Sequence, residues 1–277
     1  MGVFYLAIPV GTALGYVLGG FMGPAHGWRF PFYIGAAPGV VLALLLLLIP
    51  EPPLGQFDHF EKTPDRDTLK GLLRNPAFLT ATLGMAMMTF ALGGLSVWMP
   101  TFLHRARQYT LTDANIVFGV STGINGLAAS LAGGWLSDHL LRRTKAAHYL
   151  VSAASLGIAI PAMWMALFTT GGVMVIGIFV AEFLLLLNTG PLNAAVINAV
   201  GPHVRAMALA ANIFIFHLLG DVPSASLIGY MSDHYSLQHA FLAPVVAVAL
   251  SSAILFYGMK FAPLVHFENA PVEVSKT

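Results

Sequence analysis

The chain has 277 residues, of which 57% are apolar and 9% charged, with a formal net charge of +1 and no cysteine. An ordinary soluble domain carries about 25% charged residues, so a chain this poor in charge cannot cover itself in water. The near-zero balance leaves no bulk field for nucleic acid or an acidic partner. The absence of cysteine removes disulfides, thiolate catalysis and thiolate-held metals. The composition implies an all-α polytopic membrane protein whose first partner is the lipid bilayer.

A membrane span needs about 20 mostly apolar residues. Eight segments meet that need, at roughly 3–21, 30–50, 76–103, 115–137, 149–169, 173–198, 206–230 and 240–261. Met1 runs straight into the first of them with no Lys or Arg ahead, which is not the pattern of a cleavable signal. The long polar stretch from Glu51 to Asn75 reads as a solvated linker. The expected organisation is therefore two spans over 1–50, a linker over 51–75, a six-span block over 76–262 and a tail over 263–277.

Basic residues orient such a chain, because they concentrate in cytoplasmic loops. Ten of the 13 fall on the side that holds both termini: Lys62, Arg66, Lys70, Arg74, Arg142, Arg143, Lys145, Arg205, Lys260 and Lys276. Arg29, Arg105 and Arg107 fall on the other. The expectation is a bacterial inner-membrane protein with both termini and the linker in the cytoplasm.

A short motif recurs. Gly134-Trp135-Leu136-Ser137-Asp138-His139 closes the fourth span, and Gly229-Tyr230-Met231-Ser232-Asp233-His234 closes the seventh. An odd offset of three spans puts the copies on opposite sides of the membrane, as a 3+3 inverted repeat does. Two ordinary helix stops built from Gly, Ser and Asp would give the same letters.

Those residues carry a resemblance. Gly134-x-x-x-Asp138-x-x-x-Arg142-Arg143 resembles the cytoplasmic signature loop of the major facilitator superfamily, whose acidic residue latches one half of the transporter against the other. Gly15-Tyr16-x-x-Gly19-Gly20 resembles the family's antiporter motif, with Tyr16 where that motif has proline. Phe4 to Gly11, Asn188-Thr189-Gly190-Pro191-Leu192-Asn193 and His217-Leu218-Leu219-Gly220-Asp221 resemble the Spinster-like branch. The resemblance runs from Met1 to about Leu264 and implies the last two helices of an N-terminal half followed by a complete C-terminal half. It further implies a secondary transporter of a small organic or lipid-like solute, working by alternating access and coupled to H⁺. In the family, coupling is attributed to an acid on the first helix and a base on the fourth, and neither helix is in this sequence. On that reading the chain is a fragment. The competing reading is a truncated, non-transporting protein with a structural role, through self-association or through pairing with the missing N-terminal helices.

Ionisable groups at membrane depth are costly and functional by default. Glu182 and Asp221 are the two of the 12 acids that fall inside spans. His217 precedes Asp221 by four residues, on the same helix face. The pair can hold a proton or a cargo headgroup, as can Glu182; all three can instead lock helices together by hydrogen bonds. Asn188 and Asn193 flank a Gly190-Pro191 interruption that either exposes backbone to the cargo path or is a satisfied kink. Asn125 is a further candidate for the cavity wall. Gly11, Gly15 and Gly19, with Gly20, give a smooth face for close helix packing. Trp28, Trp98 and Trp135 sit where interface anchors do. No G-x-x-x-x-G-K and no H-E-x-x-H occurs, so neither an enzyme nor a metal or cofactor site is expected.

Overall fold

In lipid every backbone polar group needs an internal partner, and helices supply it within one segment. The computed structural model describes residues 2–48, 70–201 and 204–263, with side chains from residue 10 onward. Its elements are α1 (Gly2–His26), α2 (Phe30–Leu46), α3 (Pro76–Arg107), α4 (Leu111–Leu141), α5 (Ala147–Phe168), α6 (Gly171–Leu186), α7 (Thr189–Asn198), α8 (Arg205–Phe216), a π-helical turn (His217–Asp221), α9 (Val222–His234), the short α10 (Leu237–Ala240) and α11 (Leu242–Gly258). Among the described residues, six helical stretches are long and apolar enough to cross a membrane: Pro76–Arg107, Leu111–Leu141, Ala147–Phe168, Gly171–Asn198, Arg205–His234 and Leu237–Phe261. They coincide with the six spans expected after the linker. The two earlier spans are helices as well, α2 being a shorter one of 17 residues. Most of the expected linker and tail, residues 51–69 and 264–277, lies outside the described residues.

Local chemistry explains the ends. Pro76 opens α3 at a position that needs no N–H, and the Asn75 side chain accepts from Ala77 N at 3.0 Å and Phe78 N at 3.3 Å. The Asn75 amide also donates to Ala199 O at 2.7 Å, tying the start of α3 to the end of α7. Gln108 takes a left-handed φ of 60° to stop α3, and Thr110 then caps α4 by accepting from Asp113 N at 3.0 Å.

The core lies among α3, α5, α6 and α11, around Phe78, Phe102, Leu156, Leu167, Leu185, Phe241 and Leu255. Small residues let these helices approach, and single hydroxyls tie them across. Tyr149 donates to Ala77 O at 2.6 Å, Ser251 to Gly84 O at 2.6 Å and Ser252 to Ala153 O at 2.8 Å. The helix α1 lies along α4, while α2 has no buried residue.

Two sequence expectations change here. Gly11, Gly15 and Gly19 have nothing within 4 Å of where a Cβ would sit, whereas at Gly20 the added atom would meet Asn115 Cβ at 2.8 Å. The close approach of α1 and α4 uses glycines on α4 instead: a Cβ on Gly119 would lie 2.7 Å from Tyr16 Cβ, and one on Gly123 would lie 2.9 Å from Ala13 Cβ. A helix presents its contact face by angle, and the i, i+4 row of Gly11, Gly15 and Gly19 is turned away from α4. Trp98 is also not an exposed anchor. Its indole N–H donates to Ala225 O at 2.9 Å, and its ring sits where a Cβ on Gly229 would go, 2.9 Å away. Trp28 and Trp135 are exposed, at 65% and 69%.

Candidate functional site

The helices α1, α3, α4, α5, α6 and α7, with the π turn, enclose a cavity of about 470 Å³. Its wall is mostly apolar, from Leu92, Met99, Phe118, Met163, Ile178 and Leu185 among others. Glu182 and Asp221 both line it, and among the described residues no Lys, Arg or His does.

Glu182 is 7% exposed. Ser121 donates to its Oε2 and Thr122 to its Oε1. The Asn125 amide sits 3.5 Å from Oε2, and it also donates to Ser121 Oγ at 3.1 Å and Phe179 O at 2.9 Å. Asn125 Oδ1 is buried with no partner. Three donors on successive turns of α4 thus converge on one carboxylate of α6. Above it, Tyr16 packs edge-on against Phe118 at 5.1 Å between centroids and donates to Ser96 O at 2.5 Å.

Sequence reading singled out Glu182 and Asn125 separately and passed over Ser121 and Thr122. The signal was available, because residues 121, 122 and 125 share one helix face. The sequence reading also missed Gly119-Val120-Ser121-Thr122-Gly123, which has the G-x-S-x-G spacing of a hydrolase nucleophile elbow. Here Ser121 lies inside α4 with its hydroxyl on Glu182, and both glycines make room for α1.

The Asp221 end is built by the π turn. A π turn inserts one residue per turn and often marks a functional site. It carries Gly220 onto the backbone of α3, where a Cβ would lie 2.7 Å from Ala86 O. Two turns along α3 from Ala86, a Cβ on Gly93 would collide with the Asp221 carboxylate. His217 Nδ1 and Asp221 Oδ2 are in direct contact, with side-chain exposures of 53% and 37%.

The remaining candidates lie elsewhere. Asn188 is fully buried at the break between α6 and α7, where it donates to Leu184 O at 2.8 Å and Leu185 O at 3.2 Å and accepts from Ser155 Oγ at 3.1 Å. Asn193 donates back to Thr189 O at 2.8 Å. In the repeat, Trp135 stacks on His139 at 5.6 Å and Tyr230 lies over His234 at 4.3 Å, so both copies form the same aromatic–histidine pair. Gly134 has open space, while its neighbour Gly133 is pressed against Leu187 O. Asp138, Arg142, Arg143 and Asp233 are not among the residues that line the cavity, and among the described residues no three His, Asp or Glu side chains could hold a metal.

A bundle of membrane-length helices around an apolar cavity with a buried acid defines a polytopic integral membrane protein. The model of the Major Facilitator Superfamily matches residues 1–222, and the chain belongs to that family. Within it the chain is Spinster-like. It is 34% identical over 253 residues to Protein spinster homolog 3 of Danio rerio, covering 84% of this chain and 51% of that one. It is 28% identical over 289 residues to the "Probable sphingolipid transporter spinster homolog 1" of Arabidopsis thaliana, covering 92% and 58%. The chain spans about half the length of the curated relatives it matches. Its fold is that of a bacterial homologue of the human lysosomal transporter Spinster, solved inward-facing and unoccupied, with a TM-score of 0.75 at 22% identity over 94% of this chain and 69% of that one.

Proposed function

We propose that this chain serves a secondary active transporter that moves a small organic or lipid-like solute by alternating access, with a proton as the coupling ion. The observation that carries the reading is Glu182, an acid buried at membrane depth in the wall of a solute-sized apolar cavity. Burying a charge without a counter-charge is costly, so such a group stays neutral or acquires a cation. A proton that comes and goes there links the cavity to a gradient. The relatives support the reading through their transporter descriptions, one of them for sphingolipid. In this reading residues 76–262 rock as one body, Gly134, Asp138, Arg142 and Arg143 latch it on the cytoplasmic side, and both termini face the cytoplasm of a bacterial inner membrane. The chemistry is passage rather than conversion.

The protein carries no cysteine, so single cysteines test the cycle directly. Ser96→Cys and Ser130→Cys, both in the cavity wall, are exposed to a membrane-impermeant thiol reagent from either side of oriented vesicles. Alternating access predicts labelling that shifts between sides when a proton gradient is imposed. Probes closed to both sides under every condition would reject it.

A further inference from the structure

One face of α5 carries a seam of buried polar side chains. His148, Ser152 and Ser155 follow one another at i, i+4 and i+7, with exposures of 5%, 0% and 6%. The far end of the seam is satisfied, because Ser155 donates to Ser152 O and to Asn188 Oδ1, both at 3.1 Å. The near end is different. His148 Nδ1 and Ser152 Oγ are both buried and meet no partner among the described residues. Other helix hydroxyls turn back to a carbonyl of their own helix: Ser96 to Gly93 O at 2.8 Å, Thr122 to Phe118 O at 2.9 Å and Ser137 to Gly134 O at 3.1 Å. Ser152 makes no such bond.

Residues i and i+4 are neighbours on a helix, so one ligand can meet both orphaned atoms. That ligand has to donate and accept, since a hydroxyl does both and Nδ1 does either according to its tautomer. It has to be small, because the flanking Tyr149 and Val151 are buried. Buried water occupies sites of this kind. It also has a way in: His148 is the second residue of α5, next to the exposed Arg142, Arg143 and Lys145 of the α4–α5 connection. We propose that the α5 face between His148 and Ser152 binds internal water, admitted from the α4–α5 connection and held by both side chains. The inference stands apart from the transport reading. It brings solvent to within one turn of the Ser155–Asn188 bond that ties the α6–α7 break to α5.

The chain has no cysteine, so Ser152→Cys supplies a single S–H group whose infrared stretch reports exchange in heavy water. Val151→Cys is the control, at the same depth but packed against Ala129 and Leu187; opening of the helix end would expose both alike. Expected is S–H to S–D conversion at least roughly tenfold faster at position 152 than at 151. Adding His148→Phe should slow position 152 to the control rate, with the unfolding midpoint of each variant checked in detergent. A second reading needs no thiol: Ser152→Ala should lower the midpoint, because it strips a hydrogen bond to water. Equal exchange at 151 and 152, exchange at 152 indifferent to His148→Phe, or a midpoint unchanged or raised in Ser152→Ala would each overturn the inference.

Discussion

The helices α2 and α3 are both apolar, yet they end up in opposite situations. In α2, Val40, Val41, Leu42, Leu44, Leu45 and Leu46 are all more than half exposed, and nothing along the helix is buried. In α3, Gly84, Thr89, Gly94 and Thr82 are buried beside Phe78, Met85 and Phe102. Apolarity admits a helix to the bilayer but does not associate it, since lipid tails are as apolar as leucine. Glycines that let backbones close and hydroxyls that reach a neighbour's carbonyl decide which helices pack. Both helices carry glycine, Gly35 and Gly39 on α2 and Gly84, Gly93 and Gly94 on α3, so the contrast lies in the hydroxyls: Thr80, Thr82, Thr89, Ser96 and Thr101 on α3 against Tyr33 on α2.

The comparison can be broken where small residues carry the packing. Gly133→Ala should have the largest effect, because its Cβ would run into the Leu187 carbonyl, which is backbone and cannot rotate away. A loss of about 1–3 kcal/mol is expected from overpacking, read as a lower midpoint in detergent unfolding. Asn188→Ala comes next. It strips the bonds that close the α6–α7 break and the cross-helix bond from Ser155, whose hydroxyl keeps only Ser152 O at 3.1 Å, at about 1–2 kcal/mol. Ser251→Ala, which removes one cross-helix bond to Gly84 O, should cost about 0.6 kcal/mol. Leu45→Ala in α2 should stay within about 0.5 kcal/mol despite deleting a large apolar side chain. A Leu45→Ala loss rivalling that of Gly133→Ala would erase the contrast between the two helices.

Hydropathy marked each of the six membrane-length helices found among the described residues, because twenty apolar residues are a long-range average that local detail cannot hide. The direction in which a helix faces is harder to read, since it depends on a few degrees of rotation and on which neighbour arrives. Gly11, Gly15 and Gly19 made a regular stripe and face open space, while Gly119 and Gly123, spaced the same way on α4, hold the contact. The site was legible in part. The sequence marks Glu182 and Asp221 as the two acids inside spans, and both line the cavity. The three α4 donors around Glu182 needed the α4–α6 pairing to be known first. Trp98 illustrates the same limit, since its indole finds Ala225 only through the docking of α9 on α3.

The break between α6 and α7 has a mechanical consequence. Asn188 bonds back to Leu184 and Leu185, and Thr189 donates to Leu186 O at 2.9 Å, so the carbonyls that an interrupted helix sets free are closed within a few residues. A bend at the break would leave those local bonds intact while straining the Ser155–Asn188 bond to α5. What resists the bend is the bearing surface, the Leu187 carbonyl resting on Gly133 of α4. The chain thus contains a break whose freed carbonyls are closed locally, held from outside by the Ser155 hydroxyl of α5 and by a close contact that a single methyl group on α4 would block.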